Sequence, residues 1–448
     1  MNGTDQAIQF ILQVSWPNLP REVRHQAKRC LLDTLGALLA GTKTPVAELV
    51  AGFAAAQFPG DEATILGRGQ RVSAVGAALA NGFAANALDI DDGYRRIKGH
   101  PGAAVLPVLL AAAELRGRVS APALLTALVV GYELGIRAGL IRHALYSTYH
   151  SSGSWGAIAG AAAAGKILEL KADILRQALG TAEYHAPIAP MMKGIDTPNM
   201  GKDSLGWGAM VGLASVLMAQ NGFTGVEPLF SDAWQIAEGS SWVSSLGQQY
   251  ELLNLYFKPY ASCRWNQPAI AGALQIARQH NLAADEVALI RINTFEAATR
   301  LSCLPPQNTE EAQYNLAYPV AAALIDGELG PRQVLPPRIF DPAILALASL
   351  VKAQVKPEYE QAFPARAWAD VEVITRSGQT LTALGLQASW EPPDTLPSDH
   401  QLEQKFRWLV KPVLGEAQTS AIVELIWQFE RVANSNQLLK LCGSKSAL

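Results

Sequence analysis

Two short segments of this chain place ionisable side chains beside long apolar, alanine-rich stretches. In the first, Asp89, Asp91 and Asp92 lie within four residues, and His100 follows directly before Pro101. Three neighbouring carboxylates repel one another, so at least one has a raised pKa if water does not solvate it, and it can then act as a general acid or base. The positive end of the following helix would favour a neutral imidazole at His100. The alternative is that the aspartates cap a helix end in solvent and that His100 has a structural hydrogen bond.

The second segment carries His150, which precedes Ser151, Ser152 and a run of alanine and glycine. Free backbone N–H groups at the start of a helix can hold a carboxylate, which makes this segment a candidate substrate site. The alternative is that Ser151 or Ser152 caps the helix and that His150 merely precedes it. A serine nucleophile is a weaker hypothesis, because the chain has no G-x-S-x-G motif.

Two lysines lie in settings that are unusual for a solvated side chain. Lys202 follows a glycine in a loop, and Lys258 lies between Phe257 and Pro259. An ammonium group in such a place can bind a substrate carboxylate or, if desolvated, act as an acid or base with a lowered pKa. The alternative is a surface lysine whose aliphatic stem packs over an aromatic ring. Cys263, a few residues further on, is predicted to pack in the core, because no flanking motif activates it.

Composition excludes several classes of protein. Hydrophobic residues make up 49% of the 448 residues and charged residues 17%, which predicts a large buried core. A net charge of -3 without a basic block argues against a nucleic-acid partner. The four cysteines form no C-x-x-C pair, and no H-E-x-x-H spacing occurs, so we expect no metal and no disulfide framework. Gly67-Arg68-Gly69 lacks the rest of a nucleotide fingerprint, so a dinucleotide cofactor is not expected.

The expected compartment is the cytoplasm, with no membrane partner. The N-terminal residues show no basic segment followed by an apolar run, and so predict no signal peptide. Apolar stretches such as 103–113 have about half the length of a membrane span, and are predicted to be buried helices.

Hydrophobic spacing predicts a mainly α protein with a large all-helical domain and a smaller α+β, lid-like domain. Apolar residues at three- and four-residue intervals predict helices at 21–41, 73–88, 103–116, 121–140, 153–168, 172–183 and 205–221. Composition changes near residue 285, where 287–295 predicts a strand and 370–383 a hairpin, with helices at 313–326 and 343–352 between them. The tail from 398 to about 440 is predicted to be helical. The helical domain then comprises 1–268 and 395–448, and the α+β domain 269–394.

An ordered series of short motifs resembles the MmgE/PrpD family over nearly the whole chain. That family includes 2-methylcitrate dehydratase, cis-aconitate decarboxylase and iminodisuccinate epimerase. The motifs are Leu31-Leu32-Asp33-Thr34-Leu35-Gly36, Ala78-Leu79-Ala80-Asn81-Gly82, Ala87-Leu88-Asp89-Ile90-Asp91-Asp92, His100-Pro101-Gly102-Ala103, Lys258-Pro259-Tyr260, Tyr318-Pro319-Val320-Ala321 and Lys405-Phe406-Arg407.

The resemblance implies a homodimer with an active site between its two domains that needs neither a metal nor an organic cofactor. In the decarboxylase branch, the first Asp of a D-x-D-D motif, a following Thr, two histidines and two lysines line this site. The matching catalytic residues here are Asp89, His100, His150, Lys202 and Lys258.

The sequence also departs from that branch. Gly93, followed by Tyr94, stands at the Thr position, and Gln267 stands where many relatives have a histidine. The spacing from Asp89 to His100 is one residue longer. These differences count against a decarboxylase and leave the substrate open.

The predicted function is a cofactor-independent acid/base lyase, a hydro-lyase of the 2-methylcitrate dehydratase type, acting on a small di- or tricarboxylate. Lys202, Lys258 and Arg264 would hold substrate carboxylates, His150 or Asp89 would remove a proton, and His100 would protonate the leaving hydroxyl. Further substrate contacts are expected from Asp92, Tyr94, Ser151 and Tyr260. The alternatives are an isomerase that epimerises or racemises a small dicarboxylate such as iminodisuccinate, a cis-aconitate-type decarboxylase, and a non-catalytic carboxylate-binding relative.

Overall fold

The computed structural model describes residues 2–393 and 395–443. Helices make up 61% of the protein and strands 10%, which confirms a mainly α fold with a smaller α+β part. The helices are α1 Gly3–Gln13, α2 Arg21–Gly41, α3 Pro45–Gln57, α4 Ala74–Asn86, α5 Pro101–Arg116, α6 Ala121–Leu145, α7 Gly153–Ile167, α8 Ala172–Tyr184, α9 Met191–Asp196, α10 Leu205–Gln220, α11 Gly239–Ser244, α12 Gln267–His280, α13 Glu296–Thr299, α14 Thr309–Gln313, α15 Ala317–Asp326, α16 Pro331–Val334, α17 Pro342–Ala348, α18 Pro357–Ala362, α19 Asp399–Leu414, α20 Glu416–Trp427 and α21 Asn436–Cys442. The strands are β1 Ala63–Ile65, β2 Gln70–Val72, β3 Val287–Thr294, β4 Val351–Val355, β5 Trp368–Thr375 and β6 Thr380–Gln387.

Small side chains allow the central helices of the helical part to pack closely. Helix α7 contacts α5, α6 and α10, and nearly all of its residues are buried. A β-carbon at Gly212 of α10 would lie only 2.6 Å from the carbonyl oxygen of Ala157 in α7, so only glycine permits this approach. The alanine- and glycine-rich composition of these helices therefore sets the spacing of the layer that supports the site.

Helix α6 is the longest apolar helix of the part of the chain that the structure describes. Its length and composition would suffice to cross a membrane, but its apolar window is entirely buried within the protein, as in a core helix. Helix α6 is longer than the apolar stretch 103–113, for which the sequence also predicted a buried helix. The expectation that such stretches are buried helices is confirmed for both.

The α+β part contains a four-stranded sheet in the order β4-β3-β5-β6. Strand β3 pairs in parallel with β4 and antiparallel with β5, which forms a hairpin with β6. The predicted strand and hairpin are confirmed. The predicted helix at 343–352 is too long. Helix α17 ends at Ala348, and the following residues form β4, which pairs with β3, a strand distant in sequence.

Two other local predictions are wrong. The predicted helix at 313–326 is broken between α14 and α15, where the side chain of Asn315 accepts a hydrogen bond from the amide of Tyr318. Gly67-Arg68-Gly69 lies within a region expected to be helical, but it forms the turn of the β1–β2 hairpin, with both glycines at positive φ.

Helices α12 and α19 pack the sheet and the C-terminal helices against the rest of the protein. Helix α12 packs on the sheet, where Gly272 lies against Val371 and Leu386. Helix α19 packs on α2 through Phe406, which lies against Gly36. The C-terminal helices thereby lie against the helical part, as predicted for the tail.

Candidate active site

A cavity lies between loops of the helical part and the segment that follows Tyr256. Its empty volume is about 530 Å³, which includes space that is open to solvent. The lining residues are Asp89, Arg95, Lys98, His100, Tyr149, Met191, Ile195, Asp203, Tyr256, Cys263, Arg264, Trp265, Tyr314, Phe363 and Pro364.

The loop after α4 presents Asp89 to this cavity in a left-handed backbone conformation, with φ of 50°. The ammonium of Lys258 donates a hydrogen bond to Asp89 Oδ1 at 2.5 Å, and both side chains are almost completely buried. Burial would raise the pKa of Asp89, but the positive charges of Lys258, Lys202 and His100 hold it below its usual value. Burial would lower the pKa of Lys258, but Asp89 and Asp91 raise it. The two groups therefore form a buried ion pair.

His100 lies among three carboxylates. Its Nδ1 is 3.1 Å from Asp91 Oδ2, and its Nε2 is 3.4 Å from Asp89 Oδ1 and 4.0 Å from Asp203 Oδ2. Burial would lower the pKa of His100, but the charge and hydrogen bond of Asp91 and the charge of Asp203 raise it to about 9. The expectation of a neutral imidazole is therefore wrong: nearby full negative charges outweigh the positive end of α5.

Asp92 does not reach the cavity. Its carboxylate accepts hydrogen bonds from the Tyr132 hydroxyl at 2.6 Å and from the amide of Gly102 at 2.9 Å, which satisfies a free N–H at the start of α5. Burial and the nearby Asp33 raise the pKa of Asp92 to about 7. A raised pKa thus occurs within the aspartate cluster, as expected. The substrate contact of Asp92 stays a prediction, which its hydrogen bonds to Tyr132 and Gly102 away from the cavity do not favour.

Lys202 and Asp203 occupy one strained loop, with Lys202 at φ of 41°. The Lys202 ammonium donates to Asn86 O at 2.5 Å and to Gln313 Oε1 at 2.7 Å. Burial lowers its pKa, and Asp89 offsets part of this effect. Asp203 lines the cavity and accepts a hydrogen bond from Ser152 Oγ at 2.8 Å. Lys202 therefore supports the Asp89 cluster without itself lining the cavity.

His150 is 1% exposed and does not itself line the cavity, but it directly follows the cavity-lining Tyr149 in sequence. Its ring stacks on His143 with centroids 4.2 Å apart, and its Nδ1 is 2.8 Å from Ser154 Oγ. Burial and the positive charge of Arg142 lower the pKa of His150 to about 4, so the ring is neutral. Its Nε2 is buried and has no hydrogen-bond partner among the described residues.

The serines after His150 have different roles from those expected. The Ser151 hydroxyl donates to Pro187 O at 3.3 Å and does not line the cavity. Ser152 Oγ accepts from the amide of His100 at 3.3 Å and donates to Asp203, so it links the two segments. Ser152 occupies the N-cap position of α7, as one alternative expected, but its side chain makes no capping hydrogen bond. The substrate contact of Ser151 stays a prediction, which its position outside the cavity lining does not favour.

Of the three other residues predicted to contact the substrate, only Arg264 lines the cavity, whereas Tyr94 and Tyr260 do not. Arg264 lines the cavity, with an ion pair to Glu391 at 2.5 Å and its guanidinium 5.2 Å from the centre of the Tyr256 ring. The Tyr94 hydroxyl instead donates to Glu251, outside the cavity lining, and Tyr260 does not line the cavity either. The substrate contacts of both tyrosines stay predictions, which their positions outside the cavity lining do not favour.

The structure explains two of the differences from the decarboxylase pattern, those at Gly93 and Gln267. A β-carbon at Gly93 would lie 2.2 Å from Cζ of Tyr256, so the tyrosine ring occupies the space that a threonine would need. Gln267 is buried, and its Nε2 donates to the carbonyl oxygens of Tyr260 and Ser262 at 3.0 and 2.9 Å. Gln267 therefore holds the loop that carries Lys258.

Several residues that line the cavity were not among the candidates that the sequence suggested. Asp203 and Tyr149 directly adjoin two candidates, Lys202 and His150, which was an available signal. Tyr256 and Tyr314 come from distant parts of the chain, and only the fold brings them to the cavity. The Tyr314 hydroxyl donates to Asp203 at 3.3 Å.

Asp89, Asp91 and His100 offer three atoms within 4.8 Å of one another, the single group of this kind found in the described residues that could hold a metal ion. Lys258 already places an ammonium on Asp89, and His100 is protonated. Two positive charges thus occupy the positions where a cation would bind, so the donor set does not fit a metal well. A metal-free site stays a prediction, which this charge arrangement favours.

Comparison with known proteins identifies the class to which this site belongs. The model of the MmgE/PrpD N-terminal domain matches residues 5–249, and that of the MmgE/PrpD C-terminal domain matches residues 260–429. The chain belongs to the MmgE/PrpD family. The resemblance drawn from the motifs is confirmed.

Similar curated proteins are named as decarboxylases. The chain is 25% identical to the cis-aconitate decarboxylase-like protein oryM of Aspergillus oryzae, over 99% of this chain and 98% of that protein. It is 24% identical to the cis-aconitate decarboxylase of Aspergillus terreus, over 96% and 94% of the two chains. It is 27% identical to that of Homo sapiens, over 96% and 92%. These relatives are enzymes of the lyase type.

Proposed function

We propose that this protein is a cofactor-independent acid/base lyase that acts on a small di- or tricarboxylate, most simply as a dehydratase of the 2-methylcitrate dehydratase type. The observation that carries the proposal is the buried His100 imidazole ring, held between the carboxylates of Asp89, Asp91 and Asp203 at the wall of a cavity. Together with the ammonium of Lys258, it supplies a proton donor and positive charge at one place. These are the two requirements for eliminating water next to a carboxylate.

His100 is the proposed general acid. Its raised pKa keeps it protonated at neutral pH, so it can protonate a leaving hydroxyl group. General acid catalysis of this type contributes about two to four orders of magnitude in rate. The remainder must come from charge stabilisation, for which Lys258 and Arg264 are the proposed cations.

His150 is the proposed base that removes the proton α to a substrate carboxylate. Its ring is neutral, its Nδ1 is held by Ser154, and its buried Nε2 has no partner among the described residues. A pair of histidines with pKa values displaced in opposite directions is a recognised arrangement for an acid and a base. Asp89 is the weaker candidate, because its ion pair with Lys258 lowers its basicity.

A decarboxylase is the second candidate, and the names of the relatives favour it. Three of them, covered over more than 90% of their length, are cis-aconitate decarboxylases or resemble one. The Tyr256 ring beside Gly93 gives this cavity a different wall from the one that the decarboxylase motif implies. This difference favours the dehydratase. An epimerase would use the same pair of histidines on opposite faces of one carbon.

The test is an NMR screen of small di- and tricarboxylates incubated with the protein in deuterated buffer. Loss of water with formation of an alkene supports the dehydratase. Release of carbon dioxide would instead identify the decarboxylase. Deuterium uptake without loss of water would identify an epimerase. Binding of these acids without any turnover would contradict an enzymatic role.

We further propose a homodimer in the cytoplasm. An apolar stripe along α10 supports the dimer. Trp207 and Met218 are exposed, Val211 and Ala214 lie half-buried between them at helical spacing, and Phe83 of α4 contacts Trp207 edge to face. A contiguous apolar face of this kind is typical of a symmetric interface. Sedimentation equilibrium should give a dimer for the wild type and a monomer for Trp207→Glu combined with Met218→Glu. A wild-type monomer would contradict the proposal.

A further inference from the structure

A basic segment at residues 94–99 brings two additional cations to the cavity. The chain closes this segment on itself through a hydrogen bond from the Tyr94 amide to Gly99 O at 2.9 Å. Arg95 and Lys98 line the cavity, whereas Arg96, between them, pairs with Glu238 at 3.5 Å and lies over Trp242. Arg95 and Lys98 therefore face the cavity, whereas Arg96 faces away from it.

Lys98 has no carboxylate within 4.0 Å among the described residues. Its ammonium lies 4.9 Å from the centre of the Tyr149 ring, which also lines the cavity. The Lys98 side chain is exposed to solvent, although it lines the cavity. An ammonium held over an aromatic ring, without a counter-ion, at the wall of a cavity is a suitable place for an anionic group of a ligand.

The backbone at Lys98 is strained and firmly held. Its φ is 49°, a left-handed conformation that costs a lysine free energy. The Tyr149 hydroxyl donates to Lys98 O at 2.9 Å, and His143 Nε2 lies 2.9 Å from the preceding carbonyl oxygen of Ile97. Two separate hydrogen bonds thus fix the position from which the lysine side chain leaves the backbone.

This end of the cavity has an excess of positive charge. Arg95 and Arg264 share the carboxylate of Glu391, at 3.5 and 2.5 Å respectively. With Lys98, three cations belong to the lining of the cavity, whereas Glu391 does not line it. The charges around Asp89 are differently arranged, since Lys258 and His100 are paired with Asp89 and Asp91.

We propose that Lys98, assisted by Arg95, forms a second carboxylate-binding position, separate from Lys258, that selects substrates with carboxylates on adjacent carbon atoms. This inference rests on the proposed function and specifies which of its substrates this chain prefers. The substrate then places one carboxylate near His100, which lines the cavity beside the buried Lys258–Asp89 pair, and presents the carboxylate on the adjacent carbon to the basic segment. Lys98 then acts in selectivity and binding, and His100 acts in proton transfer.

The test compares the binding of tricarballylate with that of glutarate, which lacks the central carboxylate, by isothermal titration calorimetry. Wild-type protein should bind tricarballylate more tightly. Lys98→Gln should weaken tricarballylate binding by about 10- to 100-fold and remove most of its advantage over glutarate, because a charged hydrogen bond is lost. Arg96→Gln removes the same charge two residues away and is the matched control, with an affinity within about twofold of wild type.

Each alternative result has a distinct meaning. Unchanged tricarballylate binding in a folded Lys98→Gln variant contradicts the second position and leaves the proposed function intact, because the lysine then merely packs on Tyr149. Equal weakening in Lys98→Gln and Arg96→Gln also contradicts it, since only general electrostatics would be at work. A wild type that binds neither acid and turns over no polycarboxylate contradicts the proposed function and the second position together.

Discussion

The ammonium of Lys258 and the carboxylate of Asp89 form a hydrogen bond of 2.5 Å in which both groups are almost fully removed from water. Removing one partner of a buried ion pair leaves an uncompensated charge. Lys258→Met should therefore lower the free energy of unfolding by about 3–5 kcal/mol in urea denaturation. Asp89→Asn combined with Lys258→Met should recover much of this loss. A double variant as unstable as the single one would contradict a direct pair.

The protonation of His100 should make stability depend on pH in a defined window. The pKa of His100 is raised from 6.5 to about 9 in the folded protein, mainly by Asp91 acting against burial. The folded state then binds a proton that the unfolded state loses, so this contribution is complete below pH 6.5 and is lost as the pH rises through about 9. NMR titration of the imidazole measures this pKa directly.

Asp91→Asn provides the control for that titration. It removes the carboxylate 3.1 Å from His100 Nδ1 and should lower the pKa of His100. Asp196→Asn, an exposed carboxylate paired with Arg300, should leave the titration unchanged. An imidazole that titrates near its ordinary value in the wild type would contradict the assignment of His100 as a proton donor.

The contact between Gly93 and Tyr256 predicts a specific incompatibility. Gly93→Ala places a methyl group 2.2 Å from the tyrosine ring, so it should destabilise the protein by about 1–3 kcal/mol through overpacking. Adding Tyr256→Ala removes the obstructing ring and should relieve the strain. Thermal unfolding of the two variants tests this. Equal stability of Gly93→Ala and wild type would show that Tyr256 moves aside at little cost.

A buried lysine of the C-terminal part should stabilise the aspartate loop. Lys405 of α19 donates to Asp33 Oδ1 at 2.5 Å and to Ile90 O at 2.6 Å, beside Asp89. Lys405→Met should lower the free energy of unfolding by about 3–5 kcal/mol, because Asp33 loses its buried counter-ion. Lys411→Met changes an exposed lysine of the same helix and should have only a small effect. Similar losses in both variants would contradict the structural role of Lys405.

The sequence predicted the elements whose signals are local. Helices α2, α4, α7 and α10 follow from apolar spacing and caps, and the β5–β6 hairpin follows from alternation around a turn glycine. Strand β4 did not emerge, because its pairing with β3 joins residues about sixty positions apart. Local pattern carries no information about such a partner.

The site was predictable in part for the same reason. Asp89, His100 and Lys258 were identified from their local settings and motif positions, and the structure brings them together. The charge of His100 could not be deduced, since it depends on Asp91 and Asp203 in three dimensions. The contribution of Tyr256 and Tyr314 to the cavity could not be predicted either, because only the fold brings these two residues together.

Turnover by a variant of His100 tests the central claim most directly. His100→Gln keeps hydrogen-bonding capacity but cannot deliver a proton, so kcat on the polycarboxylate found in the NMR screen should fall by about 10²–10⁴-fold with KM little changed. His280→Gln, an exposed histidine at the end of α12, should match the wild type. A correctly folded His100→Gln protein that turns over its substrate at the wild-type rate would contradict the account.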